Sequence, residues 1–594
     1  MDRLFIANGR LLDPEKMQIR PAGILIEGGL INRVVEKGSP AATAGAEVID
    51  AAGRYVAPGL IDAHLHIESS MLTPDTFAAA AVPRGTTAVF VDPHEIGNVR
   101  KEGIELFLDI SSHLPYDMYV GVSSCVPATE LESSGARVTL EDVARLIDHP
   151  RAYGLAEMMN YPGIIHGFGD ARAKVDLVFE KGKIVDGHAP GVRGEELKLY
   201  VTNGKNDGVV RIMSDHESTT YEEAAEKAGL GMYVALRYGS ASKDMDAILP
   251  VLIKSGRSLD RFMLCSDDLE AEEMLVNGHM DQTVRRARQI ILDNSGLGLE
   301  QATLLALRLA CLNSGRYFRK FFDVTGKPGM GAIETGATAN LIIIDDLEKF
   351  EVNEVIAGGR RVASGGRLTG PAPHFDFGRF LDTVNPGRSF EGADFRIECP
   401  DGRAAANVIG VIPSSLLTRK LRLEVTSAGG GIQAEPERDL AKIAVIERHK
   451  ATGHFSVGLV QGLGIRRGAV ASTVAHDSHN IIVAGLDEKS MALAVNELAA
   501  KGGGMIAVDS DGAGGARIAA FHQLEVAGLM STRPAEEVAA SYKSVREAAS
   551  DLGSPLANVF MTLSFLALAV IPELKITDRG LVDVTKFQHI GVRS

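Results

Sequence analysis

The feature that most constrains the fold of this chain is a series of eight short apolar runs, several of which end in polar residues. In order, the runs read LIDAHLH, TTAVFVD, DMYVGVSS, AYGLAE, KIVDGHA, VVRIMSDHE, MYVALRYG and RFMLCSDD. Apolar runs separated by stretches with helical patterns are typical of alternating strands and helices, and eight such units suit a (β/α)8 barrel. We therefore predict an α/β protein in which residues 58–330 form a TIM-like barrel.

Short segments with a similar strand-like pattern flank this region on both sides. LFIANGRLLD, GILIEGGLINRVVE and AEVIDAAGRYVAP precede it, and GAIETGATANLIIIDD and EVNEVIAGGRRVASGGR follow it. Their β-branched residues, broken by glycine and asparagine, predict strands joined by tight turns. We expect residues 1–57 and 331–370 to form one small composite β-sandwich domain into which the barrel is inserted.

The remainder of the chain divides at about residue 400. Residues 371–400 are rich in proline, glycine and phenylalanine without clear periodicity, and this composition predicts a linker. Residues 401–594 again contain strand-like apolar runs and one clear helical segment, EKSMALAVNELAAKG. We predict a C-terminal α/β domain there, and several domains are what a chain of 594 residues requires.

Charge and cysteine usage exclude some classes of protein. The net charge of −15 argues against a nucleic-acid partner, which would need a basic face to neutralise phosphates. The four cysteines lack CxxC spacing, so neither a disulfide framework nor a cysteine-rich zinc site is expected. No apolar run is long enough to cross a bilayer, and the first residues lack the pattern of a signal peptide. We therefore expect a cytoplasmic protein with no membrane partner.

Polar side chains at the ends of the predicted strands point to a metal site. In a (β/α)8 barrel, the carboxyl ends of all strands meet at one mouth. His64 and His66 end the first run and lie on the same side of the strand, because strand side chains alternate. Further polar residues end later runs, namely Glu157, His188, His216 and Asp267. Each alone would more often be structural, but together they predict a two-metal site, since imidazole suits Zn, Fe and Mn and a carboxylate can bridge two cations.

Two segments resemble a known superfamily. VAPGLIDAHLH, residues 56–66, resembles the opening signature of the amidohydrolase superfamily. GAIETGATANL, residues 331–341, resembles its closing β segment, although Asn340 stands where an aspartate is common. Within the superfamily, the segments DAHLHIESSM, VDPHEIGNV, GLAEMMNYPG, SDHES, CSDD and VAHDSHNIIVAG resemble the adenine deaminases along nearly the whole chain.

The resemblance implies a role for each metal ligand. His64 and His66 would hold the first metal with Asp267 beside them, Glu157 would bridge both metals, and the second metal would take the remaining two ligands, His188 and His216. It also implies two divalent ions per subunit, Mn or Fe(II) with Zn as an alternative, and a homo-oligomer, expected to be a dimer. No lysine ends the fourth run, which disfavours a dihydroorotase-like or hydantoinase-like assignment.

The implied reaction is hydrolytic deamination of adenine to hypoxanthine and ammonia by a metal-activated hydroxide, as part of purine salvage. A metal ion lowers the pKa of a bound water, and Asp267 can accept the proton that this water releases. Glu217, next to His216 in the sequence, is the candidate that shuttles protons to the purine. The alternative for Glu217 is a carboxylate that orients a ligand imidazole.

Other polar residues near the predicted mouth keep two or more interpretations. Asp92 and His94 end the second run and could contact the purine, or they could belong to a turn fixed by Pro93. Ser124 ends the third run and is a tentative substrate contact. Residues 476–480, HDSHN, could form an extra metal site, a loop over the barrel mouth or an internally hydrogen-bonded turn.

Two other functions remain possible from the sequence. A related amidohydrolase could use the same metal chemistry on another aminopurine or on a cyclic amide. A non-catalytic scaffold could keep the barrel as a binding module, but the presence of all six proposed ligands argues against this.

Overall fold

The structure is a computed structural model that describes residues 3–35, 45–400, 402–413, 415–510 and 515–593. Its first elements are five strands. These are β1 (Arg3–Asp13), β2 (Gln18–Glu27), β3 (Leu30–Val35), β4 (Glu47–Asp50) and β5 (Tyr55–Pro58). β1 and β2 pair antiparallel, whereas β4 and β5 both run parallel to β1.

Each of the eight apolar runs contains a strand. The strands are β6 (Leu60–Leu65), β7 (Thr86–Val91), β8 (Asp117–Val122), β9 (Ala152–Met158), β10 (Ile184–Gly187), β11 (Ser214–Asp215), β12 (Tyr233–Arg237) and β13 (Phe262–Cys265). They form a five-stranded sheet, β10-β9-β8-β7-β6, and a three-stranded sheet, β11-β12-β13, whose paired neighbours are all parallel.

Hydrogen bonds join these two sheets at both of their edges. At one edge, the Met213 N–H donates to Val185 O at 2.8 Å, and at the other the Asp267 N–H donates to His64 O at 3.1 Å. Leu65 and Asp267 form a parallel bridge at the second edge. Because the strands are parallel, their carboxyl ends lie at one common rim.

Fourteen helices connect and surround these strands. They are α1 (Pro74–Ala81), α2 (His94–Val99), α3 (Glu102–Ile110), α4 (Leu140–Leu146), α5 (Tyr161–His166), α6 (Ala171–Glu180), α7 (Gly194–Val201), α8 (Tyr221–Gly229), α9 (Met245–Ser255), α10 (Ala271–Asn277), α11 (Met280–Asn294), α12 (Leu299–Leu307), α13 (Asn313–Tyr317) and α14 (Arg319–Thr325). Local sequence fixes several of their starts. At α4, Thr139 and Asp142 form a reciprocal capping box that satisfies two free N–H groups.

The chain then returns to the first sheet. The returning strands are β14 (Leu341–Asp346), β15 (Glu351–Ala357), β16 (Arg360–Ser364) and β17 (Arg367–Leu368). β14 pairs antiparallel with β5, giving one nine-stranded sheet in the order β17-β16-β15-β14-β5-β1-β2-β3 with β4 beside β1. Its own core includes Ile6, Ile24 and Ile343, which are buried. Two segments separated by more than 270 residues thus share one sheet.

The segment predicted as a linker packs against the domain that follows it. Residues 371–400 contain two short 3-10 helices, Gly378–Phe380 and Gly392–Phe395, and four of their phenylalanines are buried. Phe390 and Phe395 belong to the same apolar cluster as the buried side of the next long helix. Because burying an aromatic side chain is strongly favourable, this segment lies on the C-terminal domain instead of crossing solvent.

The C-terminal region is built on a second nine-stranded sheet, in the order β20-β19-β18-β22-β21-β24-β23-β25-β26. Its strands are β18 (Arg403–Val411), β19 (Thr418–Ala428), β20 (Gly431–Ile432), β21 (Leu440–Ile446), β22 (Phe455–Gln461), β23 (Ala469–Ser472), β24 (Ile481–Gly485), β25 (Gly504–Ser510) and β26 (Ala516–Gln523). The other elements are helices α15 (Glu488–Ala500), α16 (Ala535–Asp551) and α17 (Val559–Phe565) and a small sheet of β27 (Leu574–Thr577), β28 (Gly580–Asp583) and β29 (Gln588–Ile590).

The C-terminal domain packs on the rim where the parallel strands end. The Ser531 N–H donates to Met71 O at 2.8 Å, and the Tyr542 hydroxyl donates to Glu270 at 3.0 Å. Asn480, between β23 and β24, donates from its side chain to Ser133 O at 2.8 Å. The rim is therefore covered by a second domain. Among the described residues, no helix has the length and apolar content that a bilayer span needs.

Candidate metal centre and its surroundings

His64 and His66 bring two imidazole nitrogens to the same point at the end of β6. Both side chains are buried, and their Nε2 atoms are 3.2 Å apart. The Nδ1 atom of His66 lies 3.0 Å from the main-chain oxygen of Asp92, so this nitrogen carries the proton and donates it. The Nε2 lone pair of His66 is consequently free to bind a cation, an orientation typical of metal-binding histidines.

Glu157, in β9, lies between two groups of histidines. Its Oε1 atom is 3.5 Å from His66 Nε2. Its Oε2 atom is 2.6 Å from His188 Nδ1 and 3.1 Å from His216 Nε2. Each carboxylate oxygen thus faces a different set of imidazoles, which is the arrangement that a carboxylate bridging two cations requires.

Asp267 completes the group just beyond β13. Its Oδ1 atom lies 3.6 Å from His64 Nε2 and 3.4 Å from His66 Nε2. The residue has a left-handed backbone with φ of +57°, which costs a non-glycine residue roughly 1 kcal/mol or more. The hydrogen bond from its N–H to His64 O, which joins β13 to β6, holds this conformation. Closure of the two sheets therefore positions the carboxylate.

The charges of these side chains support one another. Burial alone would raise the pKa of Glu157, but the positive charges of His188 and His216 outweigh it and hold that pKa well below its usual range. Burial would likewise lower the pKa of His216, yet the Glu157 carboxylate raises it well above its usual value. Buried carboxylates and imidazoles in this arrangement bind either protons or cations.

The donor set fits divalent cations. Three triads have all their ligand atoms within 4.8 Å of one another, namely His64–His66–Glu157, His64–His216–Asp267 and Glu157–His188–His216. All six side chains are buried, and imidazole nitrogen with carboxylate oxygen is the set that Zn, Fe and Mn accept. The structure brings together every metal ligand predicted from the sequence.

Arg237, in β12, contacts this group and was not predicted from the sequence. Its Nη1 atom donates to Glu217 at 2.6 Å and to Asp267 at 3.2 Å, and its Nε atom donates to Asp244 at 2.9 Å. The guanidinium offsets the negative charge of three carboxylates and fixes the orientation of Asp267. A charged residue inside the apolar run MYVALRYG was the signal that could have identified it.

Glu217 lies beside the histidines as expected. Its Oε1 atom is 3.4 Å from His216 Nε2 and 3.7 Å from His188 Nδ1. Burial would raise the pKa of Glu217, but the charges of Arg237 and His188 hold it well below its usual range. The carboxylate is therefore ionised at neutral pH, a form that can accept a proton or orient an imidazole.

The three candidate substrate contacts have different surroundings. His94, at the start of α2, has its Nδ1 atom 3.3 Å from Asp92 and 3.4 Å from Glu157, so it borders the metal-ligand group. Asp92 accepts hydrogen bonds from the His94 N–H and the Ser123 hydroxyl, both at 3.1 Å. The Ser124 hydroxyl donates to the main-chain oxygen of Glu157, which directs it toward the strand instead of a substrate.

A cavity lies between the rim and the C-terminal domain, and its lining includes neighbours in sequence of the metal-centre residues but none of the six predicted ligands. Glu95 and Asp268 line it, and each follows a residue of the metal-centre region in the chain. Its apolar wall comes from both domains and includes Met71, Met505, Leu529, Phe560 and Phe565. Its polar residues include His476, His479 and Tyr542 from the C-terminal domain. Residues 476–480, HDSHN, therefore lie at the rim, since His476 and His479 line this cavity.

Two family models match the chain. The model of the amidohydrolase family covers residues 55–362, and that of the adenine deaminase C-terminal domain covers residues 415–588. The first match includes all the strands that carry the predicted ligands. The fold is therefore the TIM-like fold of amidohydrolases with an additional domain.

Relatives match over nearly the full length. An adenine deaminase of Nitratidesulfovibrio vulgaris is 41% identical over 99% of this chain and 96% of its own. Adenine deaminases of Methanothrix thermoacetophila and Desulfatibacillum aliphaticivorans are 40% and 38% identical, each over 99% of this chain and 96% and 97% of their own. The chain therefore belongs to the adenine deaminase family of the amidohydrolases.

Proposed function

We propose that this protein hydrolyses adenine to hypoxanthine and ammonia at a binuclear metal centre. The observation that carries the proposal is Glu157, whose two oxygens face two different sets of imidazoles at one rim. Relatives that match almost the entire chain are named adenine deaminases, which supports adenine as the substrate.

We further infer that the eight parallel strands form a closed (β/α)8 barrel, since hydrogen bonds join the two sheets at both edges. The composite β domain, the barrel and the C-terminal domain would then correspond to residues 1–57 with 331–370, 58–330 and 401–594. We propose Mn or Fe(II) as the resident ions, with Zn as an alternative, because nitrogen and oxygen ligands accept all three.

His64, His66 and Asp267 would hold one ion, His188 and His216 the other, and Glu157 both. Divalent cations at these positions would lower the pKa of water and so supply hydroxide near neutral pH. Asp267 is placed to accept the proton that the attacking water loses, and the hydrogen bond from Arg237 keeps its carboxylate in position.

Deamination needs protons at two further atoms, a purine ring nitrogen and the departing amine. Glu217 is our candidate for this transfer. Both protons come from the water: Glu217, which is ionised at rest, would accept one and pass it to the ring nitrogen, and the one taken up by Asp267 would go to the departing amine. The overall balance is one water consumed for each ammonia released, with no net proton change in the protein.

The cavity beside the metal centre suits a flat aromatic base. Phe560, Phe565 and Met505 offer apolar surface for the purine ring, and burial there also excludes bulk water from the reaction. Asp92 is our candidate for a contact to a ring nitrogen, and His94, whose Nδ1 atom lies 3.3 Å from Asp92 Oδ2, would orient that carboxylate. Since the Ser124 hydroxyl is occupied by a main-chain oxygen, we propose that Ser124 supports Glu157 and does not bind substrate.

A panel of substrates tests this function. Metal-loaded enzyme is expected to release ammonia from adenine and to form hypoxanthine, with lower turnover of other aminopurines. Cyclic amides are expected to remain unchanged, because the fourth strand ends in Glu157 and carries no lysine. Absence of adenine turnover in metal-loaded, folded enzyme would refute the proposal, and turnover of a cyclic amide instead would favour the related-hydrolase alternative.

Three wider expectations accompany this function. The product hypoxanthine places the reaction in purine salvage, which takes place in the cytoplasm, and we propose that location for the protein. A homodimer is expected from the resemblance to the family. Each of these is independent of the metal-centre geometry.

A further inference from the structure

A second group of ligand atoms lies where the barrel meets the C-terminal domain. It consists of His94 Nε2 and Glu95 Oε1 from the start of α2, and His476 Nδ1 and Asp477 Oδ1 from the segment after β23. Glu95 Oε1 is 2.9 Å from His476 Nδ1 and 3.5 Å from His94 Nε2. Asp477 Oδ1 is 3.9 Å from both of these nitrogens. All four side chains are buried.

These separations match those around a four-coordinate cation. Ligand bonds of 2.0–2.2 Å in tetrahedral geometry place neighbouring ligand atoms roughly 3.3–3.6 Å apart. Of the six separations in such a tetrahedron, the four between an imidazole nitrogen and a carboxylate oxygen are 2.9, 3.5, 3.9 and 3.9 Å, so one lies within that range, one below it and two above it. Small side-chain shifts would therefore complete the geometry.

Neighbouring groups hold two of the ligands in the required orientation. His94 Nδ1 faces two carboxylates, Asp92 Oδ2 at 3.3 Å and Glu157 Oε1 at 3.4 Å. A proton on Nδ1 toward these carboxylates leaves the Nε2 lone pair of His94 directed at the group. Glu95 is held through its other oxygen, which His479 Nε2 contacts.

His479 itself is a positioning residue and not a fifth ligand. Its Nδ1 atom accepts the main-chain N–H of Ala475 at 3.1 Å, so in the neutral ring the proton is on Nε2. That N–H donates to Glu95, and a nitrogen that carries a proton cannot bind a cation. His479 therefore orients Glu95 without binding the cation.

The charge balance of the group also favours a cation. Within 4.0 Å, Glu95 and Asp477 are paired only with imidazoles in the described part of the chain. Asp477 Oδ2 is buried there without any hydrogen-bond partner. Burying two carboxylates without lysine or arginine is costly unless protons or a metal ion neutralise them.

We propose that His94, Glu95, His476 and Asp477 bind an additional divalent cation, distinct from the two catalytic ions, at the junction of the two domains. Two imidazole nitrogens and two carboxylate oxygens are a ligand set that suits Zn²⁺. Since each domain supplies two ligands, the cation holds the C-terminal domain on the barrel rim. This site goes beyond the proposed function, which requires only the binuclear centre.

Metal stoichiometry tests the site. The full-length metal-free protein is loaded with Zn²⁺, freed of excess ion by gel filtration and analysed for zinc per chain. The wild-type protein is expected to retain one zinc more than the variants Asp477→Asn and His476→Gln. His449→Gln is the matched control, because His449 contacts Ser478 O at 2.7 Å in the same loop but supplies no ligand, and it is expected to retain the wild-type content.

The proposal is overturned if the wild-type protein and Asp477→Asn retain equal zinc. If both ligand variants fail to fold, anomalous scattering from zinc-loaded wild-type crystals decides the matter. A peak within bonding distance of His476 Nδ1 and Asp477 Oδ1 supports the site, and no peak there overturns it. Adenine turnover with no zinc at the junction would reject this site alone, whereas junction zinc without adenine turnover would reject the proposed function alone.

Discussion

The protein contains two groups of histidines and carboxylates that differ in how the fold assembles them. The group at the barrel rim draws its six side chains from the ends of parallel strands, where alternation and strand order set each position. The junction group takes two residues from a helix start and two from a loop of another domain. The first depends on the barrel alone, and the second exists only when the C-terminal domain is docked.

Glu157→Gln is expected to have the largest effect on the rim group. The amide keeps the shape but loses the charge that both sets of histidines share, so adenine turnover should fall about 10³-fold or more, equivalent to several kcal/mol. Steady-state rates and bound metal would be measured together. Glu354→Gln, a buried carboxyl in the remote β15 strand, should leave both unchanged.

Arg237→Met should lower adenine turnover, because it removes a side chain that orients carboxylates of the rim group. Removing the guanidinium leaves Glu217, Asp267 and Asp244 without their shared partner, and support of this kind is typically worth about 10–100-fold in activity. Arg237→Lys should recover part of the loss, since it restores the charge without the forked geometry. Equal turnover in wild type and Arg237→Met would show that Asp267 needs no such support.

Phe565→Ala tests whether the C-terminal domain contributes to substrate binding at the rim. Phe565 lines the cavity and stacks on His476, with ring centroids 4.6 Å apart. Stacking on a base is worth about 1–3 kcal/mol, so KM for adenine should rise roughly tenfold while kcat changes little. Phe587→Ala, at an exposed position, serves as the control. An unchanged KM would show that Phe565 does not contribute to adenine binding.

Glu132→Gln, a substitution near the junction, should have the smallest effect. The effect should appear in the free energy of unfolding of the metal-free protein. Burial, with the negative charge of Asp477, raises the pKa of Glu132 to about 8. Between about pH 4.5 and 8 the folded form keeps a proton that the unfolded form has lost, so stability falls as pH rises through this window. Chemical unfolding across this range should show a shallower decline in Glu132→Gln, by on the order of 1–3 kcal/mol at pH 8. If the free energy of unfolding declined equally with pH in the two proteins, the pKa of Glu132 would not be raised by burial in the folded protein.

Most of the residues at the rim could be predicted from the sequence, because short local patterns identify the strands and the polar residues at their ends. The eight apolar runs indicated eight strands, and the polar residue at each strand end identified its side chain at the mouth. The sequence did not predict a role for Arg237, because that role depends on its contacts with Glu217 and Asp267. These residues follow two other strands, and no local sequence pattern reveals such contacts. Residues 371–400 were predicted as a linker because their buried phenylalanines lack periodicity.

The junction was only partly predictable, for a physical reason. The sequence of residues 476–480, HDSHN, is compatible with a metal site, a loop or a turn. Choosing among these requires the position of Glu95, which lies nearly 400 residues earlier in the chain. The tautomer of His479 depends on a main-chain contact that only the folded loop provides. Contacts between domains depend on docking, and periodicity carries no information about docking.

In the proposed reaction, the side chains around Glu157 hold the cations that the deamination of adenine requires. The most direct measurement compares hypoxanthine formation by chelator-treated, metal-free enzyme before and after addition of Mn(II), with Glu157→Gln in parallel. We expect no turnover without metal, full recovery in wild type after Mn(II) addition and no recovery in Glu157→Gln. Undiminished turnover by the metal-free enzyme, or full recovery in the variant, would refute this role of the metal centre.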